Sequence, residues 1–415
     1  MDEKNFRSKV RDLPRNVWAV SLTSFFMDIS SEMVINILPL FLSNVLGVKT
    51  NIIGVIEGVA EATASLLKVF SGWLSDKLGG RKWLAVAGYA ISTLSKPFFY
   101  IANSWGMIAG VRWADRVGKG VRTAPRDALV ADSIKPEQRG IAFGFHRAAD
   151  TGGAVLGILI AALAVWLAQS NDLQLGENTF RTVVLISLIP AVLAVLSLAI
   201  IARDTGRKGA SSKPKITFKG LGKPFLVFLL IVGVFDLGNS SDAFLVLRAQ
   251  ERGMSVLGIL LMLAAFNLVY TLVSAPAGSL SDRIGRRKVI IGGWLVYGVI
   301  YLGFALAQRP WHIWALYITY GLYYGMAYGT AKAMVADLVA PELRGTAYGT
   351  YNAVLGIIDF PASLLAGLLW QGAGGWAGFG PAAPFLFGGG LAFLAAVMLL
   401  FWKPSEIGEG DNGAE

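Results

Sequence analysis

From Phe360 to Trp402 the chain carries no charged residue at all. One helix crossing about 30 Å of hydrocarbon needs about 20 residues, so this run is long enough for two. Gly372, Gly374, Gly375, Gly378, Gly380 and Pro381 fall in its middle, where poor helix formers divide it into separate crossings. Shorter charge-free windows recur at 182–202, 253–281 and 289–308. Composition agrees with lipid exposure: 54% of residues are hydrophobic and 15% charged, against roughly 25% charged in soluble domains.

The same reading along the rest of the chain predicts an all-α membrane protein of twelve transmembrane helices. They lie near 17–46, 52–75, 84–102, 105–129, 140–168, 182–202, 224–248, 256–279, 288–307, 312–336, 347–370 and 384–402. Spans 1, 4 and 5 contain charged residues, and the first apolar run has no small-residue cleavage site. Lys and Arg cluster before span 1, after spans 2 and 8, and most densely after span 6, from Arg203 to Lys223. With twelve spans all four clusters share one side, which the excess of positive charge marks as cytoplasmic. The expected organisation is a cytoplasmic segment 1–16, a six-helix bundle 17–202, a basic linker 203–223, a second bundle 224–402 and a cytoplasmic tail 403–415. Cysteine is absent and only His146 and His312 are present, so thiolate or histidine-rich metal sites are excluded and no cofactor is expected. On a membrane protein the net charge of +10 reads as cytoplasmic loops rather than nucleic-acid binding.

The two bundles are copies. Gly72-Trp-Leu-Ser-Asp76-Lys-Leu-Gly79-Gly-Arg81-Lys82 recurs 206 residues later as Gly278-Ser-Leu-Ser-Asp282-Arg-Ile-Gly285-Arg-Arg287-Lys288. Val130-Ala-Asp132 with Pro136-Glu137-Gln-Arg139-Gly140 recurs 205 residues later as Val335-Ala-Asp337 with Pro341-Glu342-Leu-Arg344-Gly345. Two motifs repeating at nearly one offset indicate a parallel duplication of a six-span unit. The G-x-x-x-D-[RK]-x-G-x-[RK]-[RK] loop, present twice, resembles the signature of the major facilitator superfamily, as does Arg116 to Gly120 in span 4. The resemblance implies two pseudo-symmetric bundles with both termini cytoplasmic, and a bacterial or archaeal efflux-type facilitator. Drug–proton antiporters of that family carry Gly-Pro in span 5, whereas Gly152, Gly153 and Gly157 stand here without the proline. Gly72, Asp76, Gly79 and Arg81, with Asp282, Gly285 and Arg287, form a candidate gating latch, or alternatively a topological anchor. Arg122 and Arg126 lie towards the same side and join the candidates.

An ionisable side chain at bilayer depth costs at least about 2.5–3.5 kcal/mol on insertion scales and marks a functional hypothesis by default. Asp28 and Glu32 in span 1 are one turn apart, as are Glu57 and Glu61 in span 2 and His146 and Asp150 in span 5. The two acid pairs repel at this spacing and a bound proton relieves the repulsion, while an imidazole such as His146 titrates in the physiological range, which makes these six the proton-coupling candidates. In span 4, Arg112, Asp115, Arg116, Lys119, Arg122, Arg126 and Asp127 share an arc of about 140° on the helical wheel, and that stripe must face protein or water. The second half is poorer in charge. Its Asp236, Asn239 and Asp242 in span 7, Tyr324 in span 10 and Asn352 in span 11 join Arg112, Asp115, Arg116 and Lys119 as substrate-binding candidates. Each of these charges has a structural alternative, as part of an internal ion-pair network.

These features predict a secondary transporter working by alternating access around a site lined by spans 1, 4, 7 and 10, with help from 2, 5, 8 and 11. No G-x-x-x-x-G-K-[ST] phosphate loop is present, so the chain itself is not expected to use ATP. Protons are the expected coupling ion, with sodium as an alternative. The span 4 bases favour an anionic or zwitterionic small molecule, the acids a cation or metal ion. Export by antiport is the preferred direction, import by symport the alternative. The remaining expectations are a monomer in the cytoplasmic membrane, surrounded by lipid. A membrane receptor is the non-transport alternative, and no catalytic constellation argues for an enzyme.

Overall fold

The computed structural model describes residues 12–135, 138–204, 220–340 and 343–402. The N-terminal segment 1–11, most of the basic linker, the Pro-Glu pairs of the second repeated motif and the tail 403–415 lie outside the described residues. In chain order the helices are α1 (Arg15–Ile35), α2 (Thr50–Leu78), α3 (Lys82–Ile101), α4 (Trp105–Asp132), α5 (Arg139–Gln169), α6 (Glu177–Ile201), α7 (Gly222–Leu237), α8 (Ala243–Glu251), α9 (Val256–Ile284), α10 (Arg286–Leu306), α11 (Pro310–Tyr323), α12 (Gly329–Asp337), α13 (Arg344–Gln371) and α14 (Ala383–Phe401). A π-helical stretch, Phe41–Val45, prolongs α1, and another, Tyr324–Tyr328, joins α11 to α12. Seven stretches among the described residues are long and apolar enough to cross a membrane, including Glu177–Ile201, Arg286–Leu306 and Ala383–Phe401. The charge-free run from Phe360 does break in its middle. Gly372, Gly374, Gly378 and Gly380 adopt positive φ between α13 and α14, a conformation open to glycine at little cost.

Two expected spans are not continuous rods. Span 7 is interrupted between α7 and α8 at Gly238-Asn239-Ser240-Ser241-Asp242. Glycine and short polar side chains that compete for backbone hydrogen bonds make this a weak helical sequence. The buried Gly238 carbonyl, left without a helical partner, accepts from Tyr297 Oη at 3.1 Å. Span 10 holds the π-helical tyrosines Tyr324 and Tyr328.

The helices sort into two groups. In the first, α1 packs on α5 and α6, α2 on α4, and α3 on α4 and α6. In the second, α9 packs on α11, α10 on α14, and α7 on α13 and α14. The groups meet along two seams, α2 with α13 and α5 with α9. Glycine makes the first seam possible. A Cβ at Gly54 would lie 2.3 Å from Ser363 O, one at Gly367 2.6 Å from Asn51 Cα, and one at Gly356 2.1 Å from Ser65 Cβ. Hydrogen bonds close this end: Thr50 N and Oγ1 donate to Gln371 Oε1 at 2.8 and 3.0 Å, and Asn51 Nδ2 donates to Gly372 O at 2.8 Å. Val256 N donates to Asp172 O at 3.2 Å beside the other seam. At the opposite end a Cβ at Gly72 would meet only Ala124 of its own group, and Gly144, Gly278, Gly345 and Gly349 have open space. The groups touch at one end and separate at the end that carries the repeated loop motifs.

Those motifs hold each group together internally. Arg81 donates to Asp76 at 2.7 Å, to Asp132 at 2.5 Å and to Ser75 Oγ at 2.9 Å, tying the ends of α2 and α4 to the start of α3. The second copy is built by Arg286, which bonds Asp282 at 2.9 Å, Asp337 at 2.6 Å and Ser281 Oγ at 3.2 Å. Arg287, the sequence counterpart of Arg81, instead donates to the carbonyls of Leu399 and Leu400. In space Arg286 takes the place of Arg81 at an offset of 205, the offset at which Val130-Ala-Asp132 also repeats. Arg122 and Arg126 stand apart from these networks. Arg122 donates to Ser92 Oγ and lies 4.7 Å from the Tyr89 ring centre, while Arg126 bonds Asp127 and Ser24.

Two measurements check this arrangement. Widening the tight seam with Gly54→Val should separate the closed end, because overpacking costs about 1–3 kcal/mol. A Ser363→Cys probe in this cysteine-free chain should then be labelled about tenfold faster by a water-soluble thiol reagent; an unchanged rate would contradict the seam. In detergent, Arg81→Ala should lose about 2 kcal/mol, because it removes a buried guanidinium and its charge-assisted bonds to the partly exposed Asp76 and Asp132. The more exposed Arg286 should lose under about 1 kcal/mol, and equal losses would contradict the difference in burial.

Candidate functional site

Between the two groups lies a cavity of about 560 Å³. The first group lines it with Glu32 and Asn36 of α1, Glu57, Glu61 and Lys68 of α2, and Arg112, Arg116 and Lys119 of α4. The second group lines it with Asp236, Asn239 and Asp242 around the α7–α8 break, Phe266 and Asn267 of α9, Tyr324, Tyr328 and Lys332 near α12, and Tyr351, Asn352 and Asp359 of α13. A second space of about 560 Å³, bordered by Tyr324, Tyr328 and Lys332, runs on past Arg147 and Tyr270 to Asp282 and Arg286. Together they form a route from the middle of the molecule to its motif-bearing end.

Ion pairing divides the acids of the first group. Glu57 takes a bidentate bond from Arg112, at 3.1 Å to Nε and 2.6 Å to Nη2, with both side chains buried. Glu61 pairs with Arg116 at 2.9 Å and lies 3.6 Å from Arg112. These two acids and two bases satisfy one another, as charge-assisted pairs at low dielectric do. Among the described residues Glu32 has no cationic partner within 4 Å; its Oε2 accepts from Asn36 Nδ2 at 2.9 Å. Lys68 and Lys119 have neither an ion pair nor a hydrogen bond recorded among the described residues, yet both face the cavity.

In the second group acids predominate on the wall, beside the one lysine Lys332, whose Nζ donates to Tyr328 Oη at 3.2 Å. Asp236, Asp242 and Asp359 have no cationic partner within 4 Å among the described residues. Asp242 faces Tyr320 Oη at 3.5 Å. Asp236 is buried at 8% exposure and its Oδ2 has no hydrogen bond. Around them the aromatic rings stack edge to face: Phe266 lies 5.4 Å from Tyr324 and 5.2 Å from Tyr317, and Tyr323 lies 5.1 Å from Tyr324. Tyr317 is fully buried on this wall with its hydroxyl unpartnered.

Several candidates lie away from the cavity. Span 5 contributes none of its wall. His146 and Asp150 are 3.7 Å apart, beyond a hydrogen bond, and neither ring nitrogen of His146 has a partner. Asp28 also lies off the wall, within electrostatic reach of Asp150, Glu32, Lys119 and Arg122. Asp115 is buried behind the stripe, 3.7 Å from Arg112 Nη1. Trp294 of α10, by contrast, reaches the wall from a helix not expected there. Sequence reading also missed Lys96. It is 2% exposed in α3, and its Nζ donates to Ser30 Oγ at 2.5 Å and Ser31 Oγ at 3.2 Å. The rule that flagged the other intramembrane charges applies to it equally. Arg147, likewise unremarked, donates to Tyr270 Oη at 2.5 Å across the seam between the groups.

Comparison with known proteins places this architecture. A family model described as Major Facilitator Superfamily matches residues 20–245 and 226–415. An uncharacterised MFS-type transporter of Methanocaldococcus jannaschii is 36% identical over 401 residues, covering 94% of this chain and 96% of its own. A multi-drug resistance efflux pump PmrA homologue of Lactococcus lactis is 23% identical, covering 88% and 91%. The crystal structure of a point mutant of the nucleoside transporter NupG has the same fold at a TM-score of 0.77 and 13% identity, covering 93% of this chain and 99% of its own. A duplicated all-helical architecture around a shared central cavity, matched by family model and relatives alike, makes this chain a multi-pass membrane transporter of the major facilitator superfamily.

Proposed function

We propose that the chain is a proton-coupled exporter that moves a small solute by alternating access through the central cavity, with twelve spans, both termini cytoplasmic and the motif-bearing side facing the cytoplasm of the cell it serves. The observation that carries this reading is the set of carboxylates left without a cationic partner on or beside a cavity shared by both bundles. Glu57 and Glu61 are each held by an arginine, and their role is to hold α2 against α4. Glu32 has no Lys or Arg partner within 4 Å among the described residues, and Asp28 and Asp150 lie behind it, so coupling is assigned to this trio. The distant efflux relative supports export. With one end sealed and the other open, the geometry corresponds to the cytoplasm-facing state, in which an exporter loads.

In vesicles oriented inside-out, an acid interior should drive solute inward against its gradient. Glu32→Gln and Asp28→Asn should abolish this accumulation, by about tenfold or more, while leaving solute exchange at equal pH. Accumulation driven by the opposite gradient would show symport and overturn the direction; undiminished coupling in both variants would remove the trio. Glu57→Gln should behave differently. Breaking a buried pair by removing one partner costs about 3–5 kcal/mol, so its signature is loss of thermal stability, which a proton-carrying role alone would not require.

A further inference from the structure

The cavity wall is polarised between the two bundles, and the polarity specifies more than a small solute. On the first-bundle side two cations, Lys68 and Lys119, have no ion pair among the described residues and outnumber the one unpaired acid, Glu32, with further donor atoms at Arg112 Nη1 and Arg116 Nε. On the second-bundle side three carboxylates, Asp236, Asp242 and Asp359, set among aromatic rings, outnumber the one cation, Lys332, whose Nζ donates to Tyr328 Oη at 3.2 Å. The backbone itself gives way there. Irregular chain at membrane depth is tolerated where it is enclosed by protein or lines a cavity, and broken helices commonly frame transporter sites. The break Gly238–Asp242 places Asp236 and Asp242 on either side of it.

Two buried polar groups on this wall point to a missing partner. Asp236 Oδ2 and Tyr317 Oη are both unsatisfied, and leaving such groups unpaired is costly unless something else fills the role. An acceptor next to aromatic faces suits an ammonium group, through charge-assisted hydrogen bonding and ring attraction together. Opposite it, the free lysine ammoniums and guanidinium donors suit a carboxylate or another organic anion.

Resting on the transporter reading above, we propose that the substrate class is a zwitterion with an aromatic or otherwise apolar body. Its amine sits at Asp236 and Asp359, and its anionic group sits at Lys68 and Lys119. A solute of this kind bridges the two bundles through its own two charges. An amine alone leaves the lysines unmatched, and an anion alone leaves the aspartates unmatched.

The test is equilibrium binding to the purified full chain in lipid nanodiscs with matched triplets: L-tryptophan, tryptamine and indole-3-propionate, and a Trp-Gly dipeptide with its decarboxylated and deaminated forms. At least one zwitterion should bind about tenfold or more tighter than both of its singly charged relatives, the scale of one charge-assisted hydrogen bond. Lys119→Gln should erase the advantage over the amine only, and Asp359→Asn the advantage over the anion only. These are ratios within one variant, so partial misfolding does not affect them. No zwitterion binding, or a singly charged relative binding as tightly as the zwitterion, overturns the proposal. Either variant changing the other ratio instead also overturns it. Failure of the transporter reading is separate: a bound zwitterion that never crosses in proteoliposomes would contradict that reading while leaving the site assignment standing.

Discussion

The pairing of Glu57 with Arg112 is the interaction on which the rest of the interior depends. Charge at bilayer depth is tolerated only when something nearby answers it, and here α2 and α4 answer each other. Their bidentate bond at 2.6 and 3.1 Å, extended by Glu61 and Arg116 at 2.9 Å, lets a strongly charged helix sit inside a lipid-facing shell. Once those four groups are matched, the charges left over define what the cavity can do. They are unevenly shared: Lys68 and Lys119 against Glu32 on the first bundle, Asp236, Asp242 and Asp359 against Lys332 on the second.

The duplication gives the chain symmetry in its frame and allows asymmetry in its chemistry. Arg81 and Arg286 perform the same task with equivalent carboxylates, Asp76 and Asp132 in one bundle and Asp282 and Asp337 in the other. The walls of the cavity have diverged. Ser30-Ser31-Glu32 remains helical in α1, whereas its echo Ser240-Ser241-Asp242 lies in and ends a break. At that break Gly238 packs against Gly388, where a Cβ would come within 2.9 Å of backbone.

Much of this was legible in the sequence, for physical reasons that also set its limits. Lipid imposes long apolar runs, so the helices and the glycine-rich break after Gln371 could be read from charge spacing alone. The repeated loop motif exposed the duplication. What could not be read was anything depending on a single residue of register or on which face a helix turns. The working arginine of the second loop is Arg286 and not Arg287, a shift of one residue whose visible trace was the change of offset from 206 in the first motif to 205 in the second. His146 and Asp150 share a helical face, but that face packs away from the cavity. Lys96 was visible as an intramembrane charge and was passed over; its serine partners on α1 emerge only when α3 is packed.

The central claim is that one cavity, closed at one end by the α2–α13 seam and open at the motif-bearing end, exchanges which end is open. Paired spin labels in the cysteine-free chain measure this directly by pulsed electron–electron distance spectroscopy. One pair would sit at Leu78→Cys and Arg344→Cys on the open end, the other at Lys49→Cys and Ala373→Cys on the sealed end. On lowering the pH and adding a transported solute, the first distance should shorten as the second lengthens, in the same fraction of molecules. Both distances changing in the same sense, or neither changing while solute is transported, would contradict it.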